Sequence, residues 1–263
     1  MGLSIIVTGA AGRMGATLTR LVREAEDLEL AGITDRPELL DKLKVQEKDG
    51  VLVSSDLASL LKSLPHSVVV DFTAPEASMI HARAAGAAGA PIVIGTTGFT
   101  AAQIQELEAL AEKHVLFRSA NMSVGINVIM DILPRLTALL GDAYDVEMME
   151  IHHNKKKDAP SGTALLLAEP LLKARGLDAS AINTNRFDTS APRNHDEIGI
   201  QSLRGGDVVG VHTVYYMGPG ERIEITHQAH SRENFATGAL RAARWLSEQK
   251  PGRLYNMQDV LHA

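Results

Sequence analysis

Leu3-Ser-Ile-Ile-Val-Thr8-Gly9-Ala-Ala-Gly12-Arg13-Met14-Gly15 is a short β-branched apolar run followed at once by three glycines spaced three apart. The run suits a strand buried on both faces, and the glycines suit a tight turn into a helix. Met14, Leu18, Leu21 and Val22 then recur at helical spacing, and Leu28 to Thr34 reads as a second strand ending at Asp35-Arg36. Strand, glycine turn, helix and strand, with an acid about 20 residues beyond the last glycine, match the dinucleotide fingerprint. In it the first glycine permits the turn, the second lets backbone amides approach a pyrophosphate, the third admits close helix packing, and the acid accepts from a ribose hydroxyl. The spacing here is Gly-x-x-Gly-x-x-Gly, with Ala11 where the second glycine usually stands. Arg36 beside Asp35 leaves NADH and NADPH both open as cofactor, because an arginine accommodates a 2′-phosphate.

Downstream, Pro37 to Gly50 is charged and loosely patterned, and Leu57 to Leu64 offers a short helix. A strand is expected over Ser67 to Phe72, a helix over Pro75 to Ala88, a strand over Pro91 to Gly95, a helix over Thr100 to His114 and a strand over Val115 to Arg118. Such alternation predicts an α/β fold, a Rossmann-type doubly wound parallel sheet whose strand ends face a ligand crevice. Thr96 and Thr97, in the turn Gly95-Thr96-Thr97-Gly98, are then placed to offer hydroxyl and amide groups to a nicotinamide. The alternation gives way after Asn127 to strand-like Tyr144 to His153, a helix from about Ser161, and strand-like Glu197 to Leu203, Val208 to Met217 and Arg222 to Ala229. That pattern predicts a second α+β domain with a mostly antiparallel sheet, and Ala179 to Asp196 reads as a loop. Arg232 to Gln249 is helical in period and is expected to return to the first domain. Residues 1–123 and 233–263 would form the dinucleotide-binding domain, and residues 124–232 the substrate-binding domain.

The 263 residues are 45% hydrophobic, enough for two cored domains, and carry a net charge of −6. An acidic chain lacks the basic face that nucleic-acid binding needs. Cysteine is absent, which excludes disulfides and thiolate metal sites and suits a reducing compartment. No apolar run approaches ~18 residues and no leader pattern opens the chain, so a soluble cytoplasmic protein without a membrane partner is expected.

The densest cluster of titratable groups is Glu150-Ile-His152-His153-Asn-Lys-Lys156-Lys-Asp158-Ala-Pro-Ser161-Gly162-Thr163-Ala164. Neighbouring residues on a strand face opposite ways, so His152 and His153 are not expected to chelate a metal together. A histidine near its ordinary pKa of about 6.5 exchanges protons at working pH. Ser161 is a candidate N-cap without a capping box, since Ala164 stands three residues on, and Gly162 leaves the first helical turn uncovered. Helix amides with a lysine make a carboxylate site. Joined to a dinucleotide domain, this implies hydride transfer to a small carboxylated acceptor. The residues alone leave open another two-domain dehydrogenase acting on an amino-acid semialdehyde or imine, or a non-catalytic nucleotide sensor.

The cluster resembles the signature of the 4-hydroxy-tetrahydrodipicolinate (dihydrodipicolinate) reductase family. The likeness continues through Gly9 to Gly15, Gly95-Thr-Thr-Gly98, Ser119 to Asn127, Gly206-Asp-Val-Val-Gly210-Val-His212-Thr213, Gly220-Glu-Arg222 and Glu224-Ile-Thr-His227. The resemblance implies reduction of the small dicarboxylate 4-hydroxy-tetrahydrodipicolinate in the diaminopimelate route to lysine, by a cytosolic homotetramer built on the second domain's sheet. It makes His152 the proton donor/acceptor, Lys156 the second proton-donating or charge-stabilising residue, and His153, Gly162 and Thr163 substrate contacts. Gly9, Ala10, Ala11, Gly12, Arg13, Met14, Asp35, Arg36, Gly95, Thr96, Thr97, Ser119, Ala120, Asn121 and Met122 match its cofactor contacts. The sequence departs from the pattern at Lys155 and Lys157, which add charge, and at Val211, where an acidic residue is expected.

Overall fold

β1 (Leu3–Thr8) sends Ile5 and Val7 into one apolar core and Ile6 into another, so its continuous apolar run is buried on both faces. The computed structural model describes residues 2–187 and 190–263. These divide into two compact units, Met1–Val124 with Glu233–Ala263, and Gly125–Arg232.

In the first unit β1 is followed by α1 (Arg13–Glu24), β2 (Leu28–Thr34), α2 (Leu40–Leu43), β3 (Leu52–Ser54), α3 (Leu57–Ser63), β4 (Val68–Asp71), α4 (Pro75–Ala88), β5 (Ile92–Ile94), α5 (Ala101–Ala111) and β6 (Leu116–Arg118). The strands pair in parallel in the order β3-β2-β1-β4-β5-β6. The order reverses between β1 and β4, as in the expected doubly wound sheet. The edge strand β3 is absent from the sequence reading, because three residues show no period. The register sets Thr8 beside Thr34 and Asp71, Asp71 beside Ile94, and Ile94 beside Arg118. The glycine turn, Asp35, Thr73, Thr96 and Ser119 therefore all leave the sheet along one edge.

Gly15 fixes how closely α1 approaches that turn. A Cβ there would lie 2.1 Å from the Gly9 carbonyl oxygen and 2.7 Å from Ala10 Cα. The third glycine thus performs the packing role that its place in the fingerprint predicts.

The second unit takes up α6 (Val124–Leu140) after its first residue, then β7 (Asp145–His152), α7 (Gly162–Arg175), β8 (Ile182–Asn183), β9 (Ile198–Arg204), β10 (Gly210–Gly218) and β11 (Glu221–Ala229). The sheet order is β11-β10-β7-β9-β8. Antiparallel pairing joins β10 to β11 and to β7 over nine and seven residue pairs, while parallel pairing joins β9 to β7 and β8 over seven and two. Antiparallel pairing predominates, as read from the sequence, but the sheet is mixed. The segment expected as a loop over Ala179 to Asp196 contains β8, and residues 188 and 189 of it lie outside the described residues.

Ile126, Ile129 and Leu133 of α6 and Leu167, Ala168 and Leu171 of α7 bury against Val146, Met148, Ile198, Ile200, Val214 and Tyr216. The stretch Val124–Ala143 is, by length and composition alone, long and apolar enough to cross a membrane, although charged and polar residues interrupt it and it is no unbroken apolar run. It includes Asp131 and Arg135; Ile126, Ile129 and Leu133 pack into the core, while Val128, Ile132 and Leu139 are exposed.

The chain then returns to the first unit as α8 (Glu233–Leu246) and α9 (Met257–Leu261). Ala236, Ala239, Leu240 and Ala243 pack with Leu18, Val70 and Phe117. A Cβ at Gly238 would lie 1.8 Å from the Met122 carbonyl oxygen, so α8 lies directly on the end of that segment. Gly15→Ala is expected to cost about 2 kcal/mol or more by overpacking. Gly162→Ala, whose Cβ meets nothing within 4 Å, should change stability by less than about 0.5 kcal/mol, and urea unfolding of both variants measures the contrast.

Candidate functional site

Gly9 has a φ of +64°, a left-handed conformation that glycine adopts freely. Gly12 is the N-cap of α1, with its own N–H on the Gly9 carbonyl at 2.9 Å and no side chain capping the helix. The Ala11 N–H donates to Asp35 Oδ2 and the Arg36 N–H to Asp35 Oδ1, both at 2.8 Å, so the acid is tied to the glycine turn. The Arg36 guanidinium is exposed and only 3.3 Å from Glu38. Gly9, Ala11, Gly12, Asp35 and Arg36 line a cavity of ≈ 660 Å³. Helix-end amides, a wall without side chains and an acid at the end of β2 fit a dinucleotide phosphate and ribose. Ala10 is buried with its N–H on the Thr34 carbonyl, Met14 packs on the core, and exposed Arg13 opens α1.

The same edge holds a fully buried carboxylate, Asp71. Thr8 Oγ1 donates to it at 2.5 Å, Thr73 Oγ1 at 2.9 Å and Thr96 Oγ1 at 3.1 Å, with Ser78 Oγ also bonded and His81 Nδ1 at 2.8 Å. Burial alone would raise its pKa, but His81 and the hydroxyls outweigh it and hold the carboxyl below its ordinary value. The Thr96 hydroxyl is buried in this cluster and also accepts from the Thr73 N–H at 2.9 Å. Thr97 is exposed, and a Cβ at Gly95 would strike the Phe72 ring at 2.3 Å. Ser119 donates its N–H to Ile94 and its hydroxyl to the Asn121 carbonyl, whereas the Met122 side chain lies in the core. Gly95 to Thr97 and Ser119 to Met122 share the strand-end edge, but they do not line the cavity of the glycine turn.

In the second unit, β7 buries alternate residues Val146, Met148, Glu150 and His152, so acid and imidazole share the face toward α6 and α7. Glu150, 1% exposed, accepts from His152 Nδ1 at 2.6 Å, from the Ser161 N–H at 3.1 Å and from both terminal nitrogens of Arg204 at 2.8 and 2.7 Å. Burial would raise its pKa; Arg204, Ser202 and His152 outweigh that and bring it down to about 2. Burial depresses His152 below its ordinary pKa, with Lys156 and Arg204 acting the same way and Glu150 opposing. Its Nε2 faces Gly210, where a Cβ would come within 3.0 Å. His212 lies edge-on to His152 at 5.1 Å between ring centroids, with Nε2 3.0 Å from Ser161 Oγ. Burial, then the neighbouring His152, lowers its pKa to about 4.

Lys156 Nζ lies 2.8 Å from Asp158 Oδ2, and this lysine holds the Asp158 carboxyl below its ordinary range, with the Gly162 N–H adding to the effect. Ser161 caps α7 through the Ala164 N–H at 3.1 Å, as the sequence suggested, and places Gly162 and Thr163 in the first turn. β7 ends at His152, and His153 turns out of the strand with its N–H on the Val208 carbonyl at 2.8 Å. Lys155 and Lys157 are exposed, and Val211 pairs across to Ile151 and Gln228. Among the described residues there is no group of three or more histidines and carboxylates that could hold a metal ion. The sequence reading passed over Glu150, Arg204 and His212 as working parts. The spacing Glu150-x-His152 was the available signal, since a strand puts both on one face.

A dinucleotide-type sheet and an imidazole-lysine site at a helix start define a nucleotide-dependent oxidoreductase of two domains. The family described as "Dihydrodipicolinate reductase, N-terminus" matches residues 3–122, and "Dihydrodipicolinate reductase, C-terminus" matches residues 125–261. The 4-hydroxy-tetrahydrodipicolinate reductase of Nitratidesulfovibrio vulgaris (strain DSM 19637 / Miyazaki F) is 57% identical over 99% of this chain and 100% of its own. That of Oleidesulfovibrio alaskensis is 55% identical with the same coverage. The solved structure of dipicolinate-bound dihydrodipicolinate reductase from Paenisporosarcina sp. TG-14 superposes with a TM-score of 0.77 at 25% identity, over 97% of this chain and 98% of that one. The chain belongs to the dihydrodipicolinate reductase family.

His212, neutral when folded and with an ordinary unfolded pKa near 6.5, leaves the unfolded state binding more protons between about pH 6.5 and 4. Stability should therefore fall as pH drops through that window, by up to about 3 kcal/mol from this group. Urea midpoints measured from pH 7 to 4 should fall less steeply in His212→Asn than in the wild type.

Proposed function

We propose that the chain reduces 4-hydroxy-tetrahydrodipicolinate to tetrahydrodipicolinate with NADH or NADPH, a step of lysine and diaminopimelate biosynthesis. The observation that carries this reading is the buried His152 next to Lys156 at the start of α7, in a chain of this family. The first unit is the dinucleotide-binding domain and the second the substrate domain. Gly9 to Met14, Asp35, Arg36, Gly95 to Thr97 and Ser119 to Met122 hold the cofactor, Thr96 through its backbone. Loss of the substrate's 4-hydroxyl as water leaves an unsaturated cyclic imine, and the cofactor held by these residues would supply the hydride that this imine takes up at C4. Exposed Arg36, weakly paired, is free to meet a 2′-phosphate, while Asp35 serves a ribose hydroxyl, so both coenzymes are accepted.

Lys156, His153 and the first turn of α7 at Gly162 and Thr163 bind the two substrate carboxylates. Asp158 occupies Lys156 in the free protein, and a substrate carboxylate competes for the same ammonium. His152 gives its proton at C3 from Nε2, and Lys156 stabilises the negative charge that develops. A dicarboxylate beside His152 raises its pKa, because an opposite charge favours the protonated ring. Binding of substrate thereby loads the proton to be given.

The assembly is a cytosolic homotetramer. Its support is the sheet face turned away from α6 and α7, where Leu203 is 47% and Met217 37% exposed. The acidic composition favours neither a nucleic-acid nor a membrane partner.

With enzymatically generated substrate, wild-type protein should oxidise both NADH and NADPH, and His152→Ala or Lys156→Ala should lower turnover roughly 10²-fold or more. Near-normal steady-state turnover in both variants would sink the assignments, and inert wild-type protein would sink the function. Sedimentation at assay concentration should give a tetramer, with monomer as the contrary result.

A further inference from the structure

We propose that Glu150 is a positioning residue for His152, holding the ring with Nδ1–H turned inward and Nε2 presented for proton transfer, and that the Arg204 fork fixes Glu150 in turn. This rests on the reading of His152 as the proton-transferring group.

An ionised carboxylate only accepts hydrogen bonds, so the 2.6 Å contact requires the proton to sit on His152 Nδ1. The neutral ring is thereby confined to one tautomer, with its lone pair on Nε2, and the second proton enters and leaves at that atom. The carboxylate has no slack in which to turn. Oε2 receives His152 Nδ1 and one nitrogen of Arg204, and Oε1 receives the other nitrogen and the Ser161 N–H. With the Ser202 side chain, which also bonds the carboxylate, five donors crowd about four acceptor positions.

The donors come from three different places: the end of β7, the end of β9 and the start of α7. Arg204 also donates to the Asp158 carbonyl at 2.6 Å, so the same guanidinium secures the loop that carries Lys156. The charged and titratable groups facing His152 are Glu150 on its own strand, Lys156 from the loop, Arg204 from β9 and His212 from β10. Among the described residues only Glu150 is hydrogen-bonded to the ring.

The test is a double-mutant cycle on the full chain, using turnover of the generated substrate with Glu150→Gln, His152→Ala and the double variant. Glutamine keeps the volume and can bond either ring tautomer, so Glu150→Gln should lower kcat by roughly 10- to 100-fold, as loss of a histidine's orienting partner does. In the His152→Ala background it should have no further effect beyond about twofold, because residues acting as one unit are not additive. Multiplied losses in the double variant would overturn the proposal, and so would near-full kcat in Glu150→Gln. If Glu150→Gln does not fold, Arg204→Lys, which keeps the charge and loses the fork, must show the same non-additivity. Unchanged turnover in His152→Ala would instead overturn the proton role of His152, and this proposal with it.

Discussion

A negative charge sealed from water dictates the layout of the second unit. Glu150 sits at the end of β7 with almost no exposed surface, and its pKa of about 2 keeps it ionised. Such a charge is tolerated only when partners surround it, and they must come from elements that the chain brings to the same point. β9 delivers Arg204 in parallel register with His152, and α7 begins with the Ser161 amide pointing inward. The mixed character of the sheet follows from this need, since a parallel neighbour is what places an arginine at the same end of β7 as the acid. The imidazole, the lysine loop and the helix start then converge because they share one counter-ion.

The first unit solves a related problem by different means. Asp71 is as deeply buried, but its partners are four hydroxyls and one imidazole rather than a guanidinium. They join the ends of β1, β4 and β5 to α4, so the loops that leave the sheet edge are bound to a common centre. The Asp71 cluster stiffens a platform, whereas the Glu150 cluster gathers a guanidinium, an imidazole and a helix amide around one carboxylate. Both use a carboxylate at a strand end, where loops can supply donors that strands cannot.

Long periodic runs made the overall fold legible. β1, β2, α1 and α4 follow from apolar spacing, and the alternation of strand and helix implied the doubly wound sheet. β3 and β8 were invisible because two or three residues carry no pattern. Strand direction was also hidden, since alternation reads alike in parallel and antiparallel pairs, and this concealed the pairing of β9 with β7. In the site, His152, Lys156 and the Ser161 cap stood out because their motif is contiguous. Arg204 did not, being 54 residues from the acid it grips. The bond from the Thr96 hydroxyl to Asp71 was hidden for the same reason, as 25 residues separate the two and nothing local announces their meeting.

α8 covers one face of the parallel sheet, yet it is encoded after the whole second unit. On the ribosome, β1 to β6 emerge with Val70 and Phe117 facing a space that residues 233–263 will fill only later. At ~5–20 residues per second, roughly 6 to 26 seconds pass between the end of β6 and the end of that helix. The inserted unit, whose helices α6 and α7 both precede β8 in sequence, is complete first. The amino-terminal sheet thus waits half-dressed, and during that interval its bare face is the surface most in need of a chaperone.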